Sequence, residues 1–321
     1  MEEFRTIVPI DTPDFQIDFK APIAFLGSCF STNMSDKFRA SGFEIALNPA
    51  GIVFHPMPLA DVLGRAIENR LYSENDLIQL GNEWMSLSHH GRFKSNDSQS
   101  LLETMNAELS DFREKLERSK VLFITFGTAI GYREMNTSTI VANCHKLAAN
   151  RFEKNLSTYK DIVNHMHPVL ESVHQFNPSI KIVFTVSPVR YAREGFRSNQ
   201  LSKSHLHLAV EEFCKRYAFC TYFPAFEIVL DELRDYRFFA ADMLHISDLA
   251  AEYVFKRLQE NYLGAGDLSI AQKISKLSKI VNHKAHDIEK HRLQCLEAEA
   301  SIIRLLNETG NNQWTKRYRL I

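Results

Sequence analysis

The sequence predicts an α/β fold in which helices cover both faces of a parallel β-sheet, giving three layers. Short apolar runs, each long enough for a buried strand, alternate with longer segments of helical periodicity. Most of these runs end in a turn signal, and the segments between them are long enough to hold crossover helices. In such a sheet the functional groups gather at the carboxyl ends of the strands.

The five predicted strands of this sheet are residues 23–26, 43–47, 121–126, 180–186 and 219–223. Two amphipathic segments, residues 156–175 and 201–217, are predicted crossover helices. Together these elements predict one domain over residues 1–262. Its strand ends place Ser28, residues 48–51, residues 127–128 and Ser187 along one edge.

The connection over residues 57–120 is longer than a crossover requires, and it is predicted to contain an inserted cap. Its middle carries Trp84, His89, His90 and Phe93. These residues either line a substrate cleft from above or form a small hairpin that packs its own aromatic rings. Two adjacent histidines without further ligands do not make a metal site, so no metal is expected.

Residues 263–321 are predicted to form a helical extension, because the chain from Leu268 onward has no proline and one glycine, Gly310. Steps of three and four residues place a set of positions on one stripe: Ile274, Leu277, Val281, Lys284, Ile288, His291, Cys295, Ala298, Ile302 and Leu305. Lys284 and His291 interrupt this stripe. We therefore expect one or two helices packed on the domain or on a partner subunit, which would make a homodimer.

A candidate nucleophile, Ser28, follows Gly27 at the point where the first strand passes into a helix. Glycine permits a tight turn there, and backbone N–H groups at a helix start can stabilise an oxyanion. Most serines at such positions are only helix N-caps, which is the alternative interpretation.

Asp242 and His245 form the second candidate feature, in the loop before a helical segment that starts at Ser247. In a tight loop the aspartate can orient the imidazole, while the histidine accepts the proton of the serine hydroxyl. The chain order Ser28, Asp242, His245 therefore predicts a catalytic triad. Catalysis by such a triad requires no cofactor.

With these residues in view, the sequence resembles the GSCFA-domain proteins, which are grouped with the SGNH or GDSL-like hydrolases. The name refers to a Gly-Ser-Cys-Phe-Ala block. Residues 27–31 match this block except that Ser31 stands in place of the alanine. The resemblance rests on that block and on residues 48–51, 126–129, 143–146, 187–190, 222–224, 233–237 and 242–245. It implies a flavodoxin-like (SGNH hydrolase-like) sheet over about residues 1–260 and a hydrolase-like catalytic pair.

The resemblance also implies an oxyanion hole formed by the serine N–H, a glycine N–H and an asparagine side chain. Ser28 and Gly51 suit the first two positions, whereas Ala129 stands where the asparagine is expected. Asn143 is one candidate replacement and the Thr128 hydroxyl is another. An Asx turn is the structural alternative for Asn143.

Several polar side chains in or near these blocks are candidate substrate-binding groups: Asn48, His55, Trp84, His89, His90 and His145. His145 follows Cys144, but side chains adjacent in sequence project differently and seldom meet. A positioning role is therefore favoured over a Cys–His nucleophile pair. Cys29, next to Ser28, is expected to be a small buried thiol.

Composition and charge argue against two classes of binding partner, nucleic acids and membranes. The 321 residues carry 38 Lys and Arg against 39 Asp and Glu, a formal net charge of -1, so no global field attracts nucleic acid. No run is long and apolar enough for a membrane span, and the N-terminus lacks a secretory signal. The five scattered cysteines indicate reduced thiols, and a cytoplasmic location is expected.

These observations predict a serine esterase that hydrolyses an O-acyl ester, on a sugar or a related small molecule. An acyltransferase using the same serine differs only in its acceptor. A carbohydrate-binding or assembly protein that keeps the fold without turnover is the alternative from another class, and the missing asparagine favours it.

Overall fold

The computed structural model describes residues 6–281 and 288–310 of the chain. In chain order its strands are β1 Ile23–Gly27, β2 Ile45–Leu47, β3 Ile78–Leu80, β4 Glu83–Met85, β5 Lys94–Ser95, β6 Val121–Phe126, β7 Ile130–Glu134, β8 Ile140–Val141, β9 Phe152–Leu156, β10 Lys181–Val186 and β11 Cys220–Tyr222. Its helices are α1 Cys29–Ala40, α2 Pro56–Ile67, α3 Ser98–Arg118, α4 Tyr159–Phe176, α5 Phe196–Arg216, α6 Ala225–Glu227, α7 Asp248–Tyr262, α8 Ala265–Val281 and α9 Ile288–Glu308.

The central sheet has five parallel strands in the order β11-β10-β6-β1-β2. This is the flavodoxin-like order, in which the chain starts inside the sheet and reverses direction beside the first strand. The α/β prediction is therefore confirmed, and all five predicted strands are present. Gly27, Thr125 and Thr185 lie side by side at the carboxyl edge, which fixes the register of the three middle strands.

Each face of the sheet buries its own apolar core. Helices α2 to α5 cover one face, where Leu63, Phe112 and Phe213 are fully or almost fully buried. Helices α1 and α7 to α9 cover the other face around Phe38 and Tyr262. A strand that is buried on both faces needs a continuous apolar run, and these runs make the five strands recognisable in the sequence.

The predicted cap, residues 57–120, combines two kinds of structure. Helices α2 and α3 belong to the layer that packs on the sheet. Between them the short antiparallel sheet β3-β4-β5 contains Trp84.

A second antiparallel sheet, in the order β8-β7-β9, follows β6 before the chain enters α4. The apolar pattern of the sequence does not predict this sheet. Its strands are two to five residues long and partly polar, so they lack the apolar runs that mark the central strands.

Helices α8 and α9 pack against each other and on the domain. Gly42, with a left-handed φ of 93°, lies under them; a Cβ there would be 2.8 Å from Cδ1 of Ile274. Ile274, Ile302 and Leu306 are fully buried. Of the predicted stripe, Lys284 lies outside the described residues.

Within residues 6–281 and 288–310, no helix combines the length and apolar character needed to cross a membrane.

Candidate active site

Ser28 occupies the turn between β1 and α1, as the sequence predicted. Gly27 has φ 138°, and a Cβ at this position would overlap the carbonyl oxygen of Thr125, so the turn requires glycine. Ser28 is the N-cap residue of α1, yet its side chain makes no capping hydrogen bond. Its Oγ is buried and has no hydrogen-bond partner among the described residues. A buried hydroxyl without a partner is costly, and that cost favours a functional role over a cap.

Asn48 fixes this turn from the neighbouring strand end. It adopts a left-handed φ of 38°, and its Oδ1 accepts the Gly27 N–H at 2.7 Å. Its Nδ2 donates to Thr32 Oγ1 at 3.3 Å. With both ends of its amide engaged in a buried position, Asn48 positions the Ser28 turn. The predicted role in substrate binding does not fit this arrangement.

Asp242 and His245 form the expected pair. Asp242 Oδ2 and His245 Nδ1 are 2.6 Å apart, and Asp242 Oδ1 accepts the backbone N–H groups of Leu244 and His245, each at 2.9 Å. The hydrogen bond with His245, followed by those two N–H groups, holds the pKa of Asp242 down to about 2. The carboxylate is therefore ionised at neutral pH and orients the imidazole.

Two backbone hydrogen bonds and one cation–π contact hold the loop of this pair against the sheet edge. Ala240 N–H donates to His245 O at 2.8 Å, and Arg190 N–H, in the loop after β10, donates to Leu244 O at 3.1 Å. The Arg190 guanidinium lies 4.2 Å from the ring centre of Phe239. The Asp242–His245 pair consequently stands beside the carboxyl edge that also carries Ser28.

The surroundings of Cys29, the residue after Ser28, include the charge of Asp242. Burial raises the pKa of the Cys29 thiol, backbone N–H groups and Lys203 oppose that rise, and the Asp242 charge adds to it. No hydrogen bond joins His245 to the Ser28 hydroxyl within the described residues. The assembled triad therefore stays a prediction.

Lys203 is a residue that the sequence analysis missed. It is 1% exposed on α5, and its Nζ donates to the carbonyl oxygens of Gly127 at 2.7 Å and Ser187 at 2.6 Å. Burial lowers its pKa to about 7. A signal was present, because Lys203 lies three residues before Leu206 on the buried stripe of α5.

Three of the predicted oxyanion donors are already engaged. Ser28 N–H donates to the carbonyl oxygen of Thr125 at 3.3 Å. Gly51 N–H donates to Asn48 O at 2.8 Å, and a Cβ on Gly51 would lie 2.6 Å from His90 Cβ, so the cap hairpin covers it. Thr128 Oγ1 accepts the Ile130 N–H and pairs with Ser202 Oγ, both at 3.0 Å. These three assignments need correction, since all three groups serve the local fold.

Asn143 remains available. Its Oδ1 closes an Asx turn by accepting the His145 N–H at 2.9 Å. Its Nδ2 donates no hydrogen bond within the described residues. The Asx turn that the sequence offered as an alternative is present, and it leaves the amide N–H groups free for a ligand.

His89 in the cap does not line a cleft. His89 is fully buried, with ring centres 4.6 Å from Tyr72 and 4.8 Å from Phe93, and neither ring nitrogen has a hydrogen-bond partner among the described residues. His90 N–H donates to Ala50 O at 2.8 Å and ties the hairpin to the loop after β2. Trp84 is half-buried against the core. The hairpin thus packs its own aromatic rings, and burial corrects the substrate-binding assignment of His89. A substrate-binding role of Trp84 and His90, which are partly exposed, stays a prediction.

His55 and His145 border a cavity of about 610 Å³ at the same edge of the sheet. His55 caps α2, since its Nδ1 accepts the Met57 N–H, and its Nε2 lies 3.1 Å from Ala129 O. Burial lowers the pKa of His55 to about 4, so it is neutral. His145 Nε2 lies 2.7 Å from Ser86 O and fixes the loop after β8 to the cap. Both histidines position the cavity wall.

The family follows from comparison with known proteins. The model of the GSCFA family matches residues 22–258, which include Ser28, Asn48 and the Asp242–His245 pair. This chain belongs to the GSCFA family. The resemblance seen in the sequence is thereby confirmed.

The comparison with curated protein sequences returned no match. Among solved structures, the chain is similar to an acetyl xylan esterase from the rumen bacterium Butyrivibrio proteoclasticus, with 11% identity and a TM-score of 0.39. The alignment covers 79% of this chain and 64% of the length of that one. Similarity at this level does not extend to individual residues or to substrate.

No group of three or more potential metal ligands occurs among the residues that the structure describes.

Proposed function

We propose that this GSCFA protein is a serine esterase that cleaves an O-acyl ester of a sugar or related small molecule. The observation that carries the proposal is the Asp242–His245 pair, held at 2.6 Å beside the edge where the unpartnered Ser28 hydroxyl lies. An oriented imidazole next to a serine at a strand-to-helix turn is the arrangement that activates a hydroxyl nucleophile.

The chemistry divides between two steps. Ser28 Oγ attacks the ester carbonyl carbon while His245 Nε2 accepts the hydroxyl proton, and Asp242 stabilises the imidazolium. The tetrahedral intermediate expels the alcohol, which takes the proton from His245 and leaves an acyl group on Ser28. Water, deprotonated by His245, then attacks the acyl carbon, and the carboxylic acid departs as the serine hydroxyl is restored.

Two features support stabilisation of the oxyanion. The N-terminus of α1 begins directly after Ser28, whose own side chain does not cap it. The Asn143 amide lines the cavity that meets the sheet edge. Since Ser28 itself is 1% exposed, acylation also requires a neighbouring loop to open, and the half-exposed loop of Asp242 and His245 is the candidate.

The test is covalent labelling with a neutral fluorophosphonate, read by intact mass and peptide mapping. We expect one adduct on Ser28, none in Ser28→Ala, and labelling slowed by roughly 100-fold or more in His245→Asn, because the hydroxyl loses its base. A matched control is His165→Asn, which removes another His–Asp pair, at 2.7 Å from Asp61 on the surface. It should label at the wild-type rate.

Absence of labelling, together with no turnover of a broad panel of acyl esters, would contradict the esterase and favour a binding or assembly role on the same fold. Faster release of the acyl group to an added alcohol than to water would indicate the acyltransferase.

A further inference from the structure

The cavity of about 610 Å³ at the carboxyl edge has a one-sided charge. Its lining includes Lys146, Lys154 and Arg193 and contains no Asp or Glu side chain. The whole chain carries a formal net charge of -1, so this concentration of cations is local. The volume is within the usual range for a small-molecule site, roughly 300–1,000 Å³.

Among the described residues, Lys154 is the one of these three cations with a direct ion pair. Lys154 Nζ pairs with Glu194 at 2.6 Å, and the same carboxylate accepts the Tyr132 hydroxyl at 3.0 Å. Lys146 and Arg193 form no ion pair within the described part of the chain. Arg193 interacts with the charge of the adjacent Glu194 without a direct ion pair. The charges of Lys146 and Arg193 at the border of the cavity are therefore available to a ligand.

These cations are carried by short, anchored segments. Lys146 follows His145 in a tight turn, both residues having left-handed φ values of 61° and 48°, and the His145 ring is fixed to Ser86 O. Arg193 lies in a turn that begins at Tyr191, whose N–H donates to Asn199 Oδ1 at 2.8 Å. The two segments are therefore positioned before a ligand arrives, which reduces the entropic cost of binding.

Backbone hydrogen bonds connect the wall of the cavity to the candidate active site, although Ser28, Asp242 and His245 do not themselves line it. Its lining includes Phe54 and Thr128, and the Phe54 carbonyl oxygen accepts the N–H groups of both Gly127 and Thr128. The preceding residue, Val53, donates its N–H to the Gly27 carbonyl at 3.3 Å. On the far side, the segment of Arg193 is joined to the His245 loop through the hydrogen bond from Arg190 to Leu244.

We infer that this cavity binds an anionic substituent of the substrate, a carboxylate or a phosphate on the sugar-sized part of the ester. Lys146 and Arg193 contact the anion, while the Asn143 amide and the Tyr132 hydroxyl are placed to meet neutral hydroxyl groups. This inference rests on the proposed function for its orientation, since the ester bond would then face Ser28. The binding of the anion itself does not depend on turnover.

The experiment is calorimetric titration of the full chain with three ligands that share one sugar ring: glucose, glucuronate and glucose 6-phosphate. We expect both anions to bind at least 10-fold more tightly than glucose, and binding to weaken between about 0.02 M and 0.2 M salt, because exposed charges are screened. The ratio of glucuronate to glucose 6-phosphate affinity separates the carboxylate from the phosphate.

The variant Lys146→Gln/Arg193→Gln should lose that preference by 10-fold or more. Its control is Lys160→Gln/Arg197→Gln, which removes the same charge from two exposed residues outside the cavity lining and should bind as the wild type does. Because Lys146 and Arg193 are themselves exposed, we expect the variant to stay folded, with an unchanged melting temperature. The single substitutions repeat the comparison if the double variant unfolds.

Equal affinity for glucose and the two anions, or an anion affinity that the first variant retains, would overturn the inference. The fluorophosphonate experiment keeps the two proposals apart. Anion binding that depends on Lys146 and Arg193, in a protein whose Ser28 never labels, would remove the esterase and leave a binding site for anions.

Discussion

At the scale of single residues, the site combines positions that the sequence identified with one that it did not. Gly27, Ser28, Asp242 and His245 were recognisable because turn chemistry and local spacing mark them. Lys203 was not identified: its spacing to Leu206 places it on the buried stripe of α5, but a lysine inside a helix normally indicates a solvated face. Its role depends on the approach of Gly127 and Ser187, two strand ends that no local pattern brings together.

Lys203 makes stability depend on pH. Burial lowers its pKa from 10.5 to about 7 in the folded state. Below the folded value the group is charged in both states and the fold bears the whole desolvation cost. Between about 7 and 10.5 the folded amine is neutral while the unfolded one is still charged, so stability rises with pH across that window.

We therefore predict that the wild type gains unfolding free energy relative to Lys203→Met as the pH is raised, by about 2 kcal/mol between roughly pH 7.5 and 9. At neutral pH the variant itself should be less stable, because two buried carbonyl oxygens lose their donor. Urea unfolding of both proteins at several pH values gives the difference. A difference that is constant with pH would contradict the depressed pKa.

At the scale of elements, the short strands of the cap and of the second antiparallel sheet are the part of the fold that the sequence pattern does not predict. The parallel strands are buried on both faces and their apolar runs predict them directly. Strands such as β5 and β8, of two residues each, have no such signal, and their pairing is set by the surface they cover. Thus the cavity wall, to which β7, β8 and β9 contribute, could not be predicted with the sheet.

His89 in the cap is the clearest consequence of that packing. Burial lowers its pKa from 6.5 to about 3, and both of its nitrogens lack partners among the described residues. Since the folded pKa is depressed, the folded state binds its proton less readily than the unfolded one. The full stability contribution is present above about pH 6.5 and is lost as the pH falls towards 3.

His89→Phe should relieve this acid sensitivity, because a phenyl ring keeps the contacts with Tyr72 and Phe93 and cannot be protonated. We expect the variant to gain up to about 2 kcal/mol over the wild type between pH 7 and pH 5. The opposite sign is expected for His165→Asn, since the hydrogen bond with Asp61 raises the pKa of His165. Thermal melts across this range measure both, and equal acid sensitivity of His89→Phe and the wild type would contradict the assignment.

At the scale of the whole molecule, the helices after residue 264 complete the core of one sheet face. The predicted stripe places Ile274 and Ile302 inward, where both are fully buried. Helix α9, which carries Ile302, exposes Leu293 at 64% and Leu296 at 54%. These are the apolar residues that a second copy would cover. Packing on the domain is thus observed, while the homodimer stays a prediction.

Neighbouring isoleucines on α9 separate these two roles of the extension. Ile302 is fully buried, whereas Ile303 is 41% exposed. Ile302→Ala should lower the unfolding free energy by about 2–4 kcal/mol, because it leaves a cavity in the core shared with α1 and α8. Ile303→Ala should change it by about 0.5 kcal/mol or less in a monomer. Urea unfolding at two protein concentrations provides the measurement. If the cost of Ile303→Ala instead approaches that of Ile302→Ala, and both midpoints rise with concentration, the exposed face of α9 is an interface between two copies of the chain.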